Sequence, residues 1–188
     1  WTPLHHAIFE GREGEVCSLL SQGVDIEAKI ERSYTPLLLA AERGQDACIS
    51  KLLEEGAAVE ARSDRGFTPL MLAAKLGHAE TVRELLLSGG DTEAKNDRGF
   101  SPLLLACQNK HREVIEQLLE EGHANIEACT NEDFTPLMLA CWSGNEELAT
   151  YLLSHGANTC ATNKQGLTPL HLAAEYGDPK LIGTLLTA

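Results

Sequence analysis

A short phrase of the form Thr/Ser-Pro-Leu, led by an aromatic residue or leucine, occurs six times in this chain. It reads WTPLHHAI, YTPLLLAA, FTPLMLAA, FSPLLLAC, FTPLMLAC and LTPLHLAA. Its Thr or Ser stands at Thr2, Thr35, Thr68, Ser101, Thr135 and Thr168, at intervals of 33, 33, 33, 34 and 33 residues. A period this long and this regular marks stacked copies of one supersecondary unit.

The unit from Thr35 to Phe67 shows what one period builds. Thr35 is suited to cap a helix through its hydroxyl, and Pro36 follows at the first helical position, where its missing N–H costs nothing. Leu37, Leu39, Ala40 and Ala41 then predict a short buried helix that ends at Gly44. The alanines allow a neighbouring backbone to come close. Beyond Gly44, Ile49, Leu52 and Leu53 recur at helical spacing among charged residues until Gly56, which predicts a second, amphipathic helix with a left-handed terminator. The polar stretch AAVEARSDRGF follows, with Ser63 and Gly66 placed as the first and fourth residues of a type I turn. Such short helices are unstable alone, and neither the pair nor its hairpin covers its apolar stripe without a like neighbour on each side.

The T-P-L-H-x-A phrase at this period resembles the ankyrin repeat over nearly the whole chain, with units starting near residues 1, 34, 67, 100, 134 and 167. The resemblance implies an all-α ankyrin-repeat solenoid, a single domain over 1–188 of stacked helix-turn-helix units with projecting β-hairpin loops. Several positions depart from the family pattern. Its histidine survives only as His5 and His171, while the inner units carry Leu38, Met71, Leu104 and Met138. One extra residue between Gly122 and Ile126 accounts for the 34-residue interval. Ser33 and Asp133 replace the turn glycine, so the second and fifth hairpins are expected to deviate most. Family members often carry an Asn after the second helix that is open to hydroxylation. Here the matching residues are Glu27, Glu60, Glu93, Glu127 and Cys160, which argues against that modification.

Composition narrows the function. With 188 residues, 43% of them hydrophobic, the chain supports one continuous elongated core. It opens on Trp1-Thr2-Pro3 and closes on the apolar run around Leu181, Ile182, Leu185 and Leu186, with no polar cap. The expectation is an array cut from a longer protein, monomeric when capped and able to associate end to end when not. Six cysteines without paired spacing read as reduced thiols, which favour a cytoplasmic or nuclear setting. Cys107 and Cys141 hold one equivalent position, and at the ~10 Å between stacked helices they lie beyond disulfide reach. No apolar run approaches the roughly 20 residues that span a bilayer. A formal net charge of −13 disfavours nucleic acid.

No phosphate loop, nucleophile elbow or metal-ligand spacing is present, so neither catalysis nor a cofactor is expected. His5 is expected in the core and His6 partly exposed. What remains is binding. The residues that precede Thr/Ser-Pro-Leu are Trp1, Tyr34, Phe67, Phe100, Phe134 and Leu167, and this column takes five of the chain's aromatic residues (Trp 2, Tyr 3, Phe 4). In the ankyrin family the column lies at the rim of the concave face. The rings there either pack on neighbouring hairpins or form a ladder for a partner. The two residues before the first-helix glycine lie on the concave side in the family. Here they include Phe9, Leu76, Trp142 and Tyr176, set among polar neighbours as in an interaction hot spot. The end of the array around Trp142 and Tyr176, bordered by Phe134, is the strongest candidate. Lys29, Arg32, Arg62, Arg65, Lys95 and Arg98 make a basic edge at the hairpin tips, which Glu31, Asp64 and Asp97 are expected largely to neutralise. The reading is a module that binds a protein or peptide on its concave and hairpin surface. The alternative is a regulatory or targeting arm of a larger enzyme or channel. A plain structural spacer would not gather large apolar residues on one surface.

Overall fold

Each Thr/Ser-Pro-Leu phrase starts a helix in the way its chemistry requires. In the computed structural model, which describes residues 1–177 and 179–188, the side-chain oxygens of Thr2, Thr35, Thr68, Ser101, Thr135 and Thr168 accept from the amide three residues on. Proline follows each of them at the first helical position. The first helices so formed are α1 (Pro3–Phe9), α3 (Pro36–Arg43), α5 (Pro69–Leu76), α7 (Pro102–Asn109), α9 (Pro136–Trp142) and α11 (Pro169–Tyr176). A left-handed residue closes most of them, at Gly44, Gly77 and Gly177 and, without glycine, at Lys110. The chain then reverses into the second helices, α2 (Glu13–Ser21), α4 (Asp46–Glu54), α6 (Ala79–Leu87), α8 (Arg112–Glu120), α10 (Glu146–Ser154) and α12 (Pro179–Thr187).

The twelve α-helices of the described residues form two layers. In the inner layer α1, α3, α5, α7, α9 and α11 pack in chain order, and each pairs with the second helix of its own unit. Because the inner helices between the two ends, α3, α5, α7 and α9, meet neighbours on nearly every side, they bury most of their surface. Pro36 through Ala41 and Pro69 through Ala74 are all buried. The outer helices bury one stripe each, such as Cys48, Ile49 and Leu52 on α4 or Val114, Ile115 and Leu118 on α8. Leu38, Met71, Leu104 and Met138, which stand where the family has histidine, are fully buried. His5 is buried too, with Nδ1 2.7 Å from the Thr2 hydroxyl and Nε2 3.1 Å from the Tyr34 carbonyl. His171, by contrast, is exposed and closes a capping box with Thr168.

The projecting loops are tight turns, and an isolated bridge between Ile30 and Tyr34 is the strand pairing described among them. In the third, fourth and fifth units the amides of Ser63, Asn96 and Thr130 donate to the carbonyls of Phe67, Phe100 and Phe134, at 3.0, 3.1 and 3.1 Å. The side-chain oxygen of the same Ser, Asn or Thr accepts from the amide of that aromatic residue. Ile30 holds this place in the second unit and has no oxygen to offer. That loop accordingly departs, with a single 3-10 turn at Glu31–Ser33 and positive φ at both Arg32 and Ser33. The fifth loop does not depart. Thr130 supplies the acceptor, and Asp133 takes the left-handed place of the missing glycine at φ 60. Neighbouring tips are tied by backbone bonds, Asp64 to Arg32, Asp97 to Arg65, Asn131 to Arg98 and Lys164 to Glu132.

A second tie runs behind the tips. The carboxylates of Glu27, Glu60, Glu93 and Glu127 accept from the amides of Ala58, Asp91, Asn125 and Asn158, all at 2.7–2.8 Å. Each bond reaches the next unit, so these glutamates hold the spacing of the stack. This is a structural use for the positions where relatives often carry Asn.

All six cysteines are free thiols. Burial pushes the thiols of Cys48 and Cys141 up, to about 11 and about 12, and that of Cys107 higher still. Since the thiolate is the reacting form, a thiol alkylator at neutral pH should modify exposed Cys17 and Cys160 first and half-buried Cys129 more slowly. Cys48, Cys107 and Cys141 should react only after unfolding. Mass spectrometry of timed samples checks this, and early labelling of Cys107 would mean that the inner layer opens.

Candidate functional site

The concave side begins where each inner helix runs out of neighbours. The residues just before the left-handed terminators leave the core there, and large apolar side chains among them stay in contact with solvent. Phe9 is 39% exposed, Leu76 42%, Trp142 44% and Tyr176 53%. Burying such residues against a partner removes apolar area from water, and monomeric surfaces seldom gather them without use. Trp142 and Tyr176, one unit apart, meet edge to face at 90° with ring centres 6.3 Å apart. At the other end Trp1 packs on Phe9 at 5.3 Å, and the Arg43 guanidinium lies 4.2 Å over the Phe9 ring.

Between the hairpins and the inner helix ends run open clefts. Beneath Trp142 a cleft of about 450 Å³ has an apolar floor of Phe100, Phe134 and Leu139, with Arg98, Gln108 and Glu132 at its rim. One unit back, a cleft of about 470 Å³ is lined by Arg65, Phe67, Lys75, Asn96, Asp97 and Arg98. A third, of about 290 Å³, lies between the first two units and includes Trp1, Phe9, Arg32, Tyr34 and Arg43. Within it the Tyr34 hydroxyl donates to Glu42 at 3.1 Å. Burial and the Glu42 charge push that phenol up to about 12, so it stays a hydrogen-bond donor at neutral pH.

The geometry brings together Trp142, Phe134, Phe100 and Arg98 in one cleft, with Tyr176 against the Trp142 ring. Phe67 and Arg65 belong to the neighbouring cleft, Tyr34 and Arg32 to the third, and Leu76 lines none of them. Tyr34, Phe67, Phe100 and Phe134 each pack against the core. The tip acids form no ion pair with the tip arginines among the described residues. Asp64 accepts from the Ser33 hydroxyl, and Arg32, Arg65 and Arg98 form no ion pair among the described residues. Leu139, Thr130 and Asn131 in the main cleft were not anticipated. For Thr130 and Asn131 the signal lies in the turn chemistry, since the residue that closes the loop also forms the cleft wall; Leu139 lies on α9.

Two family models match the chain, described as ankyrin repeats in three copies over residues 4–96 and 80–163 and as ankyrin repeats in many copies over residues 143–186. The chain belongs to the ankyrin-repeat family. The ankyrin-repeat domain of human ASB11, known from its crystal structure, is similar at 32% identity with a TM-score of 0.89 over 100% of this chain and 83% of that one. No curated protein matches by sequence. Ankyrin repeats are generally protein-interaction modules and typically lack catalysis. In this ankyrin array the described residues include no group of three or more His, Cys, Asp or Glu placed to hold a metal ion, and no helix long and apolar enough to cross a membrane.

Proposed function

We propose that this ankyrin array binds a partner protein through a segment laid along its concave face, anchored in the cleft beneath Trp142. The observation that carries this reading is the Trp142–Tyr176 pair, two half-exposed rings held edge to face beside an apolar floor of Phe100, Phe134 and Leu139. An aromatic side chain fixed before binding loses little entropy on binding and gains from full desolvation. The binding needs no cofactor, nucleic acid or membrane, and the reduced thiols fit a cytoplasmic or nuclear setting.

The test starts from peptides selected from a random displayed library on the native chain. Trp142→Ala should weaken their binding about thirtyfold, equivalent to ~2 kcal/mol, as measured by titration calorimetry. Its thermal midpoint should move little, because a half-exposed ring contributes little to folding. A large loss of stability with unaltered affinity of the folded fraction would make Trp142 a packing residue and remove the proposed anchor.

A further inference from the structure

Four cations on the second helices or at the start of one are tied in ion pairs, Arg12 to Glu15, Lys51 to Glu54 and Glu55, Arg83 to Glu80, and Arg112 to Glu116 and Glu147. On the concave side Arg65, Lys75 and Arg98 are exposed, form no ion pair among the described residues, and line one cleft together with a single carboxylate, Asp97. They are not loosely displayed. The Arg65 carbonyl accepts from Asp97 N at 3.3 Å, and the Arg98 carbonyl accepts from Asn131 N at 3.1 Å. The Arg98 amide donates to Asn96 Oδ1 at 3.0 Å, and Lys75 Nζ sits 5.5 Å from the Phe67 ring centre. Three cations held on pinned backbone against one acid give this cleft an excess of positive charge. In a chain of net charge −13, that excess is local.

Arg98 and Asp97 also line the apolar cleft beneath Trp142, so the two clefts adjoin across these residues. We propose that the bound segment is an extended acidic peptide, with an Asp or Glu side chain between Arg65, Lys75 and Arg98 and a bulky apolar side chain in the Trp142 cleft. The proposal rests on the concave-face reading above and adds the partner's chemistry and register. Adjacent units are offset by about 10 Å and an extended chain advances about 3.3 Å per residue, so the two anchors stand about three residues apart. The arginine fork suits a carboxylate geometrically. The apolar anchor supplies affinity, and the charge supplies encounter rate and register.

Random displayed peptides selected on the native chain at low salt should carry Asp or Glu about three positions from Trp, Phe or Leu, always on the same side. The double variant Arg65→Glu/Arg98→Glu should bind these peptides at least about tenfold more weakly, and repeat selection on it should replace the acidic position by Lys or Arg. Both arginines are exposed, and thermal melts confirm that the variant is folded; Lys75→Glu, away from the tips, repeats the test if it is not. Peptides that depend on Trp142 but show no acidic preference, or that bind the charge-reversed chain unchanged, would overturn this inference and leave the concave-face reading standing. Peptides indifferent to Trp142→Ala, or no selected peptide at all, would overturn both.

Discussion

Gly77→Ala should destabilise this protein by about 2–4 kcal/mol, whereas the equivalent Gly144→Ala should cost only about 1–2 kcal/mol. Both glycines are left-handed, at φ 79 and φ 62, so both substitutions meet the steric penalty of an L-residue in that region. Among the described residues, Gly77 meets a second one and Gly144 does not. A Cβ there would lie 2.5 Å from His111 Nδ1, 2.8 Å from Cε1 and 2.9 Å from Cγ, against the body of the ring. Moving the ring breaks the 3.0 Å bond between His111 Nε2 and the Lys75 carbonyl; a carbonyl only accepts, so Nε2 carries the proton. Gly44 and His78 repeat the lock, with a Cβ at 2.6 Å from the ring and Nε2 3.1 Å from the Glu42 carbonyl. Among the described residues, no atom lies within 4 Å of a Cβ on Gly144. The fourth unit shows how a side chain is accommodated: Lys110 occupies the left-handed place at φ 63, and the next unit there presents Asn145 instead of a histidine. His111→Asn combined with Gly77→Ala should therefore recover the steric part of the loss, leaving about 1–2 kcal/mol in a double-mutant cycle. Denaturant midpoints decide the matter. Equal shifts at Gly77 and Gly144 would show that the histidine ring yields freely.

That lock also marks the boundary of what the sequence discloses. The caps, the prolines, the buried Leu/Ala run and the second-helix stripe are all local, and each is legible within one 33-residue unit because the chemistry that starts or stops a helix lies within a few residues of its end. The exposure of Trp142, Tyr176, Leu76 and Phe9 is legible for the same reason, since an inner helix runs out of neighbours just before its terminator. The contacts that were not legible join residues 31 to 36 apart, such as Glu60 with Asp91 N or His111 with the Lys75 carbonyl. They appear in sequence only as a pairing between a position in one unit and a different position in the next: Gly44 with His78, Gly77 with His111, Lys110 with Asn145. The regular fifth loop has a local cause instead. Its missing glycine was visible at Asp133, but the compensating Thr130 hydroxyl is a loop acceptor that Asn96 supplies in the fourth unit and Ile30 fails to supply in the second. The charge balance at the tips depends on where Asp64 sends its carboxylate, which no spacing rule fixes.

The buried column that replaces the family histidine sets up the second large effect. Leu104 is fully buried in the inner layer, so Leu104→Ala should open a cavity and cost about 2–5 kcal/mol. Leu104→His should cost much less at about pH 8, where a histidine with the usual proton affinity is neutral. The first unit shows why. His5, at the equivalent place, fills the site and bonds both the Thr2 hydroxyl and the Tyr34 carbonyl, which also accepts from Ile30 N at 3.0 Å. The fourth unit offers the same pair of groups: Ser101 is the cap, and the Phe134 carbonyl accepts from Thr130 N at 3.1 Å with a second lone pair to spare. The difference should appear in acid. Burial lowers the proton affinity of His5 below the ordinary 6.5, against the opposing bond to the Tyr34 carbonyl, and a histidine at position 104 would be at least as enclosed. The unfolded chain then binds the proton first, so stability is fully present above pH 6.5 and is lost as pH falls from there through the folded-state value. The Leu104→His variant should therefore lose its advantage over Leu104→Ala between about pH 8 and about pH 5. Denaturant titrations of both variants across that range measure the gap. A gap that does not change with pH, or histidine as costly as alanine at the alkaline end, would mean that the inner units cannot form the bonds His5 makes. Because Phe134 forms part of the floor beneath Trp142, the same titrations with a selected peptide present would also register any displacement of the cleft.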